Sequence, residues 1–152
     1  MTSVSIPLVP LAANLTRASV VRYAGASTDF NPLHWSDRYA IALKLPGVIA
    51  HGLYTMGLAL RIATDWLGDP AAVIRYTCRF GRPVVLPDTD EGVELKITGR
   101  VVDVTDERVT IHLQATVAGA PVLTRVVCEA HRPPADSPAG QDIAAALGER
   151  AG

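Results

Sequence analysis

The period of the hydrophobic pattern changes near the middle of the chain. Behind Thr16, a residue type that caps helix starts, Ala18, Val20, Val21 and Ala24 recur at helical spacing. A short helix is predicted there through Tyr23, with Gly25 as its stop. Ser36 opens a second short helix through Leu43, closed by Pro46-Gly47. From Gly52 to Trp66 the spacing is again helical, but nearly every face is apolar: Leu53, Met56, Leu60 and Ala63 on one side, Leu58, Ala59, Ile62 and Trp66 on another. A helix that is apolar all round is predicted to be buried, so something must wrap it.

The second half supplies the wrapping. Val109, Ile111, Leu113, Ala115 and Val117 alternate with Thr110, His112, Gln114 and Thr116, the period of a strand with one core face. Val93, Leu95 and Ile97 alternate with Glu94, Lys96 and Thr98; the phase then shifts near Val101-Val102, where Gly99 suggests a bulge. Val122 to Ala130 forms a further strand, reached through the turn Ala118-Gly119-Ala120-Pro121. Val73 to Phe80 makes a fourth, and Ser3 to Leu8 an edge strand stopped by Pro10. Antiparallel strands meandering around one buried central helix describe an α+β hot-dog domain, here over residues 1–132. Such a sheet leaves an edge and part of the helix uncovered, and pairing two protomers protects both, so a dimer is expected. Residues 133–152, rich in Pro, Ala and Gly, read as a flexible tail with a weak helix from Gln141 to Leu147.

Composition narrows the partners. Hydrophobic residues make up 49% and formal net charge is −1, which argues against a nucleic-acid partner. The longest apolar segment, from Gly52 to Leu67, is short for a membrane span and carries Arg61 and Asp65. The first residues lack the pattern of a secretion signal, so a cytoplasmic protein is expected. Cys78 and Cys128 lie in separate strands without C-x-x-C spacing and read as buried, reduced thiols.

The candidate chemistry is concentrated in residues 23–34. Asp29 and His34 sit on one turn, and Asn31-Pro32 restricts the backbone between them, because a residue before proline avoids the helical region. A carboxylate beside His34 would raise the imidazole pKa, and such a pair can hold a water or hydroxyl and move protons at neutral pH. Ser27 can bond the turn backbone. Gly52 opens the apolar helix, where its N–H, backed by the helix dipole, could polarise a carbonyl or could merely relieve crowding. His51 reads as a residue that holds the loop. A metal site from Asp29, His34 and His51 lacks paired ligand spacing, so neither a metal nor a cofactor is expected. His112, His131, Arg79 and Arg82 read as solvated surface groups.

Tyr23-x-Gly25-x-Ser27-x-Asp29-x-Asn31-Pro32-x-His34-Trp35, followed by Pro46-Gly47-x-Ile49-Ala50-His51-Gly52, resembles the MaoC-like (R)-specific enoyl-CoA hydratase and (3R)-hydroxyacyl-ACP dehydratase family. Trp66-Leu67-Gly68-Asp69-Pro70 and the stretch from Arg79-Phe80 to Pro83-Val84 extend the likeness, which covers roughly residues 16–131. It implies reversible syn addition of water to a trans-2-enoyl thioester of CoA or an acyl carrier protein, with Asp29 and His34 as the catalytic dyad and the Gly52 N–H on the thioester carbonyl. It also implies a homodimer, or a heterodimer with a related hot-dog subunit. Where many members have a Gly-Asp turn this chain reads Val85-Leu86-Pro87-Asp88, and Leu60 stands where some hydratases carry a serine. Two other readings use the same scaffold: a dehydratase or cyclase acting on a polyketide intermediate, and a non-catalytic subunit that shapes an acyl tunnel. Retention of both Asp29 and His34 argues against the second.

Overall fold

The computed structural model describes residues 2–148. The N-terminal segment forms two strands, β1 (Thr2–Pro7) and β2 (Leu11–Leu15), that pair in succession with one long strand, β4 (Val93–Val104). The alternation predicts only the first of them. After Pro10 the run Leu11-Ala12-Ala13-Asn14-Leu15 carries no β-branched residue, yet Leu11 to Leu15 lie opposite Ile97 to Val93. Tertiary pairing overrides weak intrinsic propensity there.

Helix α1 (Arg17–Ser27) starts at Thr16, whose hydroxyl accepts from Ser19 N at 3.1 Å while Ser19 Oγ accepts from Thr16 N at 3.0 Å. This reciprocal box satisfies two donors at the helix start. The helix runs through Gly25, its predicted stop, and ends where Thr28 adopts a left-handed φ of 60°. Helix α2 (Asp37–Ala42) is capped by Ser36, as its sequence predicts. A bidentate pair, Arg17 Nη1 to Asp37 Oδ2 at 2.7 Å and Nη2 to Oδ1 at 2.9 Å, ties the starts of α1 and α2 together. That bond to Arg17 holds the Asp37 carboxyl below the usual carboxylate range. Arg17 also donates to Leu86 O and Asp37 accepts from Val48 N, so this clamp fixes the segment that leads to His51.

The sheet continues as a meander. Strands β4, β5 (Arg108–Val117) and β6 (Ala120–His131) are consecutive antiparallel neighbours, and β3 (Val73–Phe80) closes the order β1-β4-β5-β6-β3 as an edge. Ala118 and Gly119 both have positive φ, the requirement of a tight I′ hairpin turn between β5 and β6. The bulge falls between Val101 and Asp103; Gly99 stays in register opposite Leu113.

Helix α3 (Gly52–Leu67) lies against the sheet, and its burial corrects the all-round expectation. Thr55, Ala59, Ile62, Ala63 and Leu67 are buried among sheet residues such as Leu95, Ile97, Val101, Ile111 and Leu123. The opposite stripe of Leu53, Gly57, Arg61 and Asp65 is exposed, Leu53 at 65%. Among the described residues no helix is long and apolar enough to cross a membrane.

The C-terminal segment also departs from expectation. In place of a free tail, α4 (Pro138–Leu147) folds back onto α3 and β1, with Ile143 fully buried and Asp142 accepting from Trp66 Nε1 at 2.9 Å. Ser137 caps this helix, and a side chain at Gly140 would collide with the backbone of Pro134. Residues 149–152 of the expected tail lie outside the described residues. Cys128 is buried and Cys78 half-buried, both as free thiols, and desolvation pushes the Cys128 thiol up to about 11.

Candidate active site

The turn after α1 is built from short side-chain-to-backbone bonds. Ser27 Oγ donates to Tyr23 O at 2.8 Å and accepts from Asp29 N at 3.3 Å. Asp29 Oδ1 accepts from Asn31 N at 3.2 Å, and Asn31 Oδ1 from Leu33 N at 3.3 Å. Such Asx bonds give the backbone a turn in place of a helix continuation. Pro32 then starts a single 3-10 turn through His34, for which its fixed φ is suited.

His34 comes out of this turn buried and with a defined proton. Its Nδ1 lies 2.7 Å from Ile49 O. A carbonyl can only accept, so Nδ1 carries the hydrogen and Nε2 presents a lone pair. Nε2 lies 4.0 Å from Asp29 Oδ2. That spacing is too long for a direct hydrogen bond, but it lets one oxygen atom sit within bonding reach of both groups. Desolvation, helped by the neighbouring His51, holds the His34 pKa below 6.5, outweighing the opposing effects of Ile49 O and Asp29. The upward shift expected from the carboxylate alone is therefore reversed, because Asp29 is half exposed while His34 is not.

His51 is 1% exposed and joins the two. Its Nε2–H donates to the backbone carbonyl of Asp29 at 3.0 Å, and its ring stacks on His34 with centroids 3.7 Å apart and planes 22° apart. Tyr23 packs against the same ring at 4.9 Å. The segment carrying His51 is stitched in place by Ala50 N to Val84 O and Ile49 N to Leu33 O. Asp29, His34 and His51 thus share one small volume, with ligand atoms within 4.8 Å of one another. Imidazole lone pairs lie in the ring planes, so two rings stacked nearly parallel do not converge on one tetrahedral ion. Stacking suits one imidazole held in place by a second.

Gly52 stands at the start of α3, and the His51 side chain makes no cap bond there. The first-turn amides are therefore without intrahelical acceptors. A Cβ on Gly52 would lie 2.9 Å from the Phe80 ring, so glycine lets the ring approach this corner without shifting. Leu33, His34, Gly52, Thr55, Phe80 and Leu123 are among the residues lining a cavity of about 430 Å³. Asp29 is not among the lining residues; its half-exposed carboxylate stands 4.0 Å from His34 Nε2. Arg82 stands on the lining and Arg79 does not, while His112 and His131 are exposed on the strands, as expected.

Three contributors lie outside the residues that the sequence singles out for the chemistry: the Ile49 carbonyl that fixes the His34 tautomer, the Phe80 ring, and Thr55. Backbone carbonyls have no residue-type signature. Thr55 does have one, as a hydroxyl close to the start of a helix whose first half is otherwise mostly apolar.

A family model described as "MaoC like domain" matches residues 6–119. The "(R)-specific enoyl-CoA hydratase" of Rhodospirillum rubrum is 30% identical over 114 residues, covering 74% of this chain and 77% of the relative. "3-hydroxyacyl-thioester dehydratase X" of Mycobacterium tuberculosis is 37% identical over 75 residues, 49% of this chain but only 26% of that longer protein. A chain from the crystal structure of the ChsH1-ChsH2 complex of Mycobacterium tuberculosis superposes with a TM-score of 0.74 at 25% identity, covering 87% of this chain and all of that one.

Proposed function

The chain belongs to the MaoC-like dehydratase family, and from that premise we propose that it is a hydro-lyase that adds water to trans-2-enoyl thioesters and removes it from (3R)-hydroxyacyl thioesters. The observation that carries this reading is the His34 tautomer: Nδ1 is committed to Ile49 O, and the free Nε2 faces Asp29 at 4.0 Å beside a cavity that also holds a helix start. In the dehydration direction His34 Nε2 takes the proton from C2, and the electron pair moves onto the thioester oxygen at the Gly52 N–H. Asp29 holds the 3-hydroxyl; as the enolate collapses the C3–O bond breaks, and the oxygen leaves as water with a proton supplied from the pair. Both groups act on one face of the substrate, which gives syn chemistry. Ser27, Asn31 and Pro32 shape the turn, and His51 holds it against His34.

The substrate is a thioester of CoA or of an acyl carrier protein. Purified protein incubated with crotonyl-CoA and longer enoyl-CoAs should bleach the conjugated thioester absorbance. No bleaching, alone or with a co-expressed hot-dog partner, overturns the reading. The rate should decline on acidification, through a pKa below the 6.5 of an ordinary histidine, because only neutral His34 can take the C2 proton. An acidic limb centred above 6.5 in the profile of kcat/KM contradicts the proposed base.

The partner in this reading is a second hot-dog subunit, identical or related. Supporting it, among the described residues β3 pairs with β6 alone and leaves an open edge, and Leu53 and the 56%-exposed Phe80 stand uncovered nearby. Exposed edges and apolar stripes of this kind are normally covered. Light scattering should return a mass of twice 16.1 kDa for the protein alone; a monomer that dimerises only with a paralogue identifies the heterodimeric form.

A further inference from the structure

Thr55 is a cavity residue with no role in the reading above. It follows Gly52 by three positions on α3, and residues three apart share one helix face. It is 3% exposed, yet it lines the cavity together with His34 and Gly52, and among the described residues no other on the lining carries a hydroxyl. The Thr55 hydroxyl donates to His51 O at 3.3 Å, beyond the usual range for O–H···O bonds. That carbonyl also accepts from Thr55 N at 3.2 Å. Rotating the hydroxyl away would therefore leave no buried acceptor without a partner.

We infer that the Thr55 hydroxyl is the second donor to the thioester oxygen, acting beside the Gly52 N–H. An enolate oxygen has more than one lone pair to satisfy, and beside a mostly apolar wall each donor counts for more than it would in water. As the C2 proton goes to His34, charge accumulates on the thioester oxygen. Thr55 then exchanges its long bond to His51 O for a short one to that oxygen. It keeps its own proton throughout, so the reaction balances without it. The hydroxyl, not the methyl, carries the role.

This inference rests on the hydro-lyase reading, and the test separates the two. Steady-state hydration of crotonyl-CoA is measured for wild type, Thr55→Val and Thr55→Ser, with melting temperatures recorded alongside. Valine keeps the shape and removes the donor; serine keeps the donor and removes the methyl. Thr55→Val should lose about 10²-fold in kcat, the scale of one oxyanion donor, with KM nearly unchanged, while Thr55→Ser stays within about threefold of wild type. A second readout is the carbonyl stretch of an enoyl-CoA bound to each protein in the Asp29→Asn background, where Thr55→Val should shift it towards the value in solution. If Thr55→Val proves unfolded, the contrast of Thr55→Ser with Thr55→Ala decides. An active wild type with an equally active Thr55→Val overturns the role of Thr55 alone. A wild type inactive on every enoyl thioester overturns the hydro-lyase reading and this inference together.

Discussion

Replacement of His34 by asparagine is expected to lower the rate of crotonyl-CoA hydration by about 10²- to 10⁴-fold, the usual contribution of a positioned acid–base group. Asparagine is the informative substitution because its amide nitrogen can occupy the place of Nδ1. It can thus keep the 2.7 Å bond to Ile49 O while deleting Nε2. Alanine removes both, and at a buried position it also opens a hole, mixing a stability loss into the rate. Asp29→Asn removes the charge but leaves an oxygen that can still accept from Asn31 N, so the turn is retained. The two groups act on a shared proton and a shared oxygen. Combining the substitutions should therefore cost far less than the product of the single losses, as residues that act as a unit do. Undiminished turnover in His34→Asn, or strictly multiplicative losses in the double variant, would show that the two side chains do not form one catalytic unit.

A large stability effect is expected away from the chemistry, at Gly92. This residue has a φ of 63°, and a side chain there would collide with the backbone of Leu15 and approach Thr16 Cγ2 at 2.9 Å. Leu15 ends β2 fully buried, and Thr16 caps α1, so the collision falls on the junction that launches the helix before the active-site turn. Left-handed backbone costs roughly 1–2 kcal/mol for a residue with a Cβ, and overpacking adds about 1–3 kcal/mol. Gly92→Ala should therefore lose about 3 kcal/mol, seen as a lower urea midpoint without a change in m. Gly119→Ala is the control, because Gly119 has a φ of 79° and nothing within 4 Å of an added Cβ. It should show the backbone term alone. Equal losses at the two positions would remove the packing argument.

Much of this fold is legible residue by residue. Period-two alternation in Val109–Val117 and Val93–Ile97 finds two central strands because one face of each is core and the other solvent. Thr16 and Ser36 locate two helix starts because hydroxyls bond the free first-turn amides there. The stop of α1 is misplaced because glycine permits a left-handed cap without requiring one, and here Thr28 adopts it. Strand β2 and the docking of α4 are not legible, since both depend on distant partners: β4 for the first, α3 and β1 for the second.

The sequence by itself determines the chemistry available. It puts Asp29 and His34 on one proline-pinned turn, Gly52 at the mouth of an apolar helix, and a hydrophobic alternation that gives strands with one face to cover that helix. Those are local properties, set by side-chain type, backbone restriction and spacing. Only the tertiary structure decides how the parts are used. The Ile49 carbonyl chooses the proton position on His34, burial and then the His51 ring lower its basicity, and packing against the sheet leaves one stripe of α3 open while turning Thr55 into the cavity. The division has a physical cause: tautomer, desolvation and exposure are properties of what surrounds a residue, and the surroundings come from parts of the chain that sequence order keeps apart.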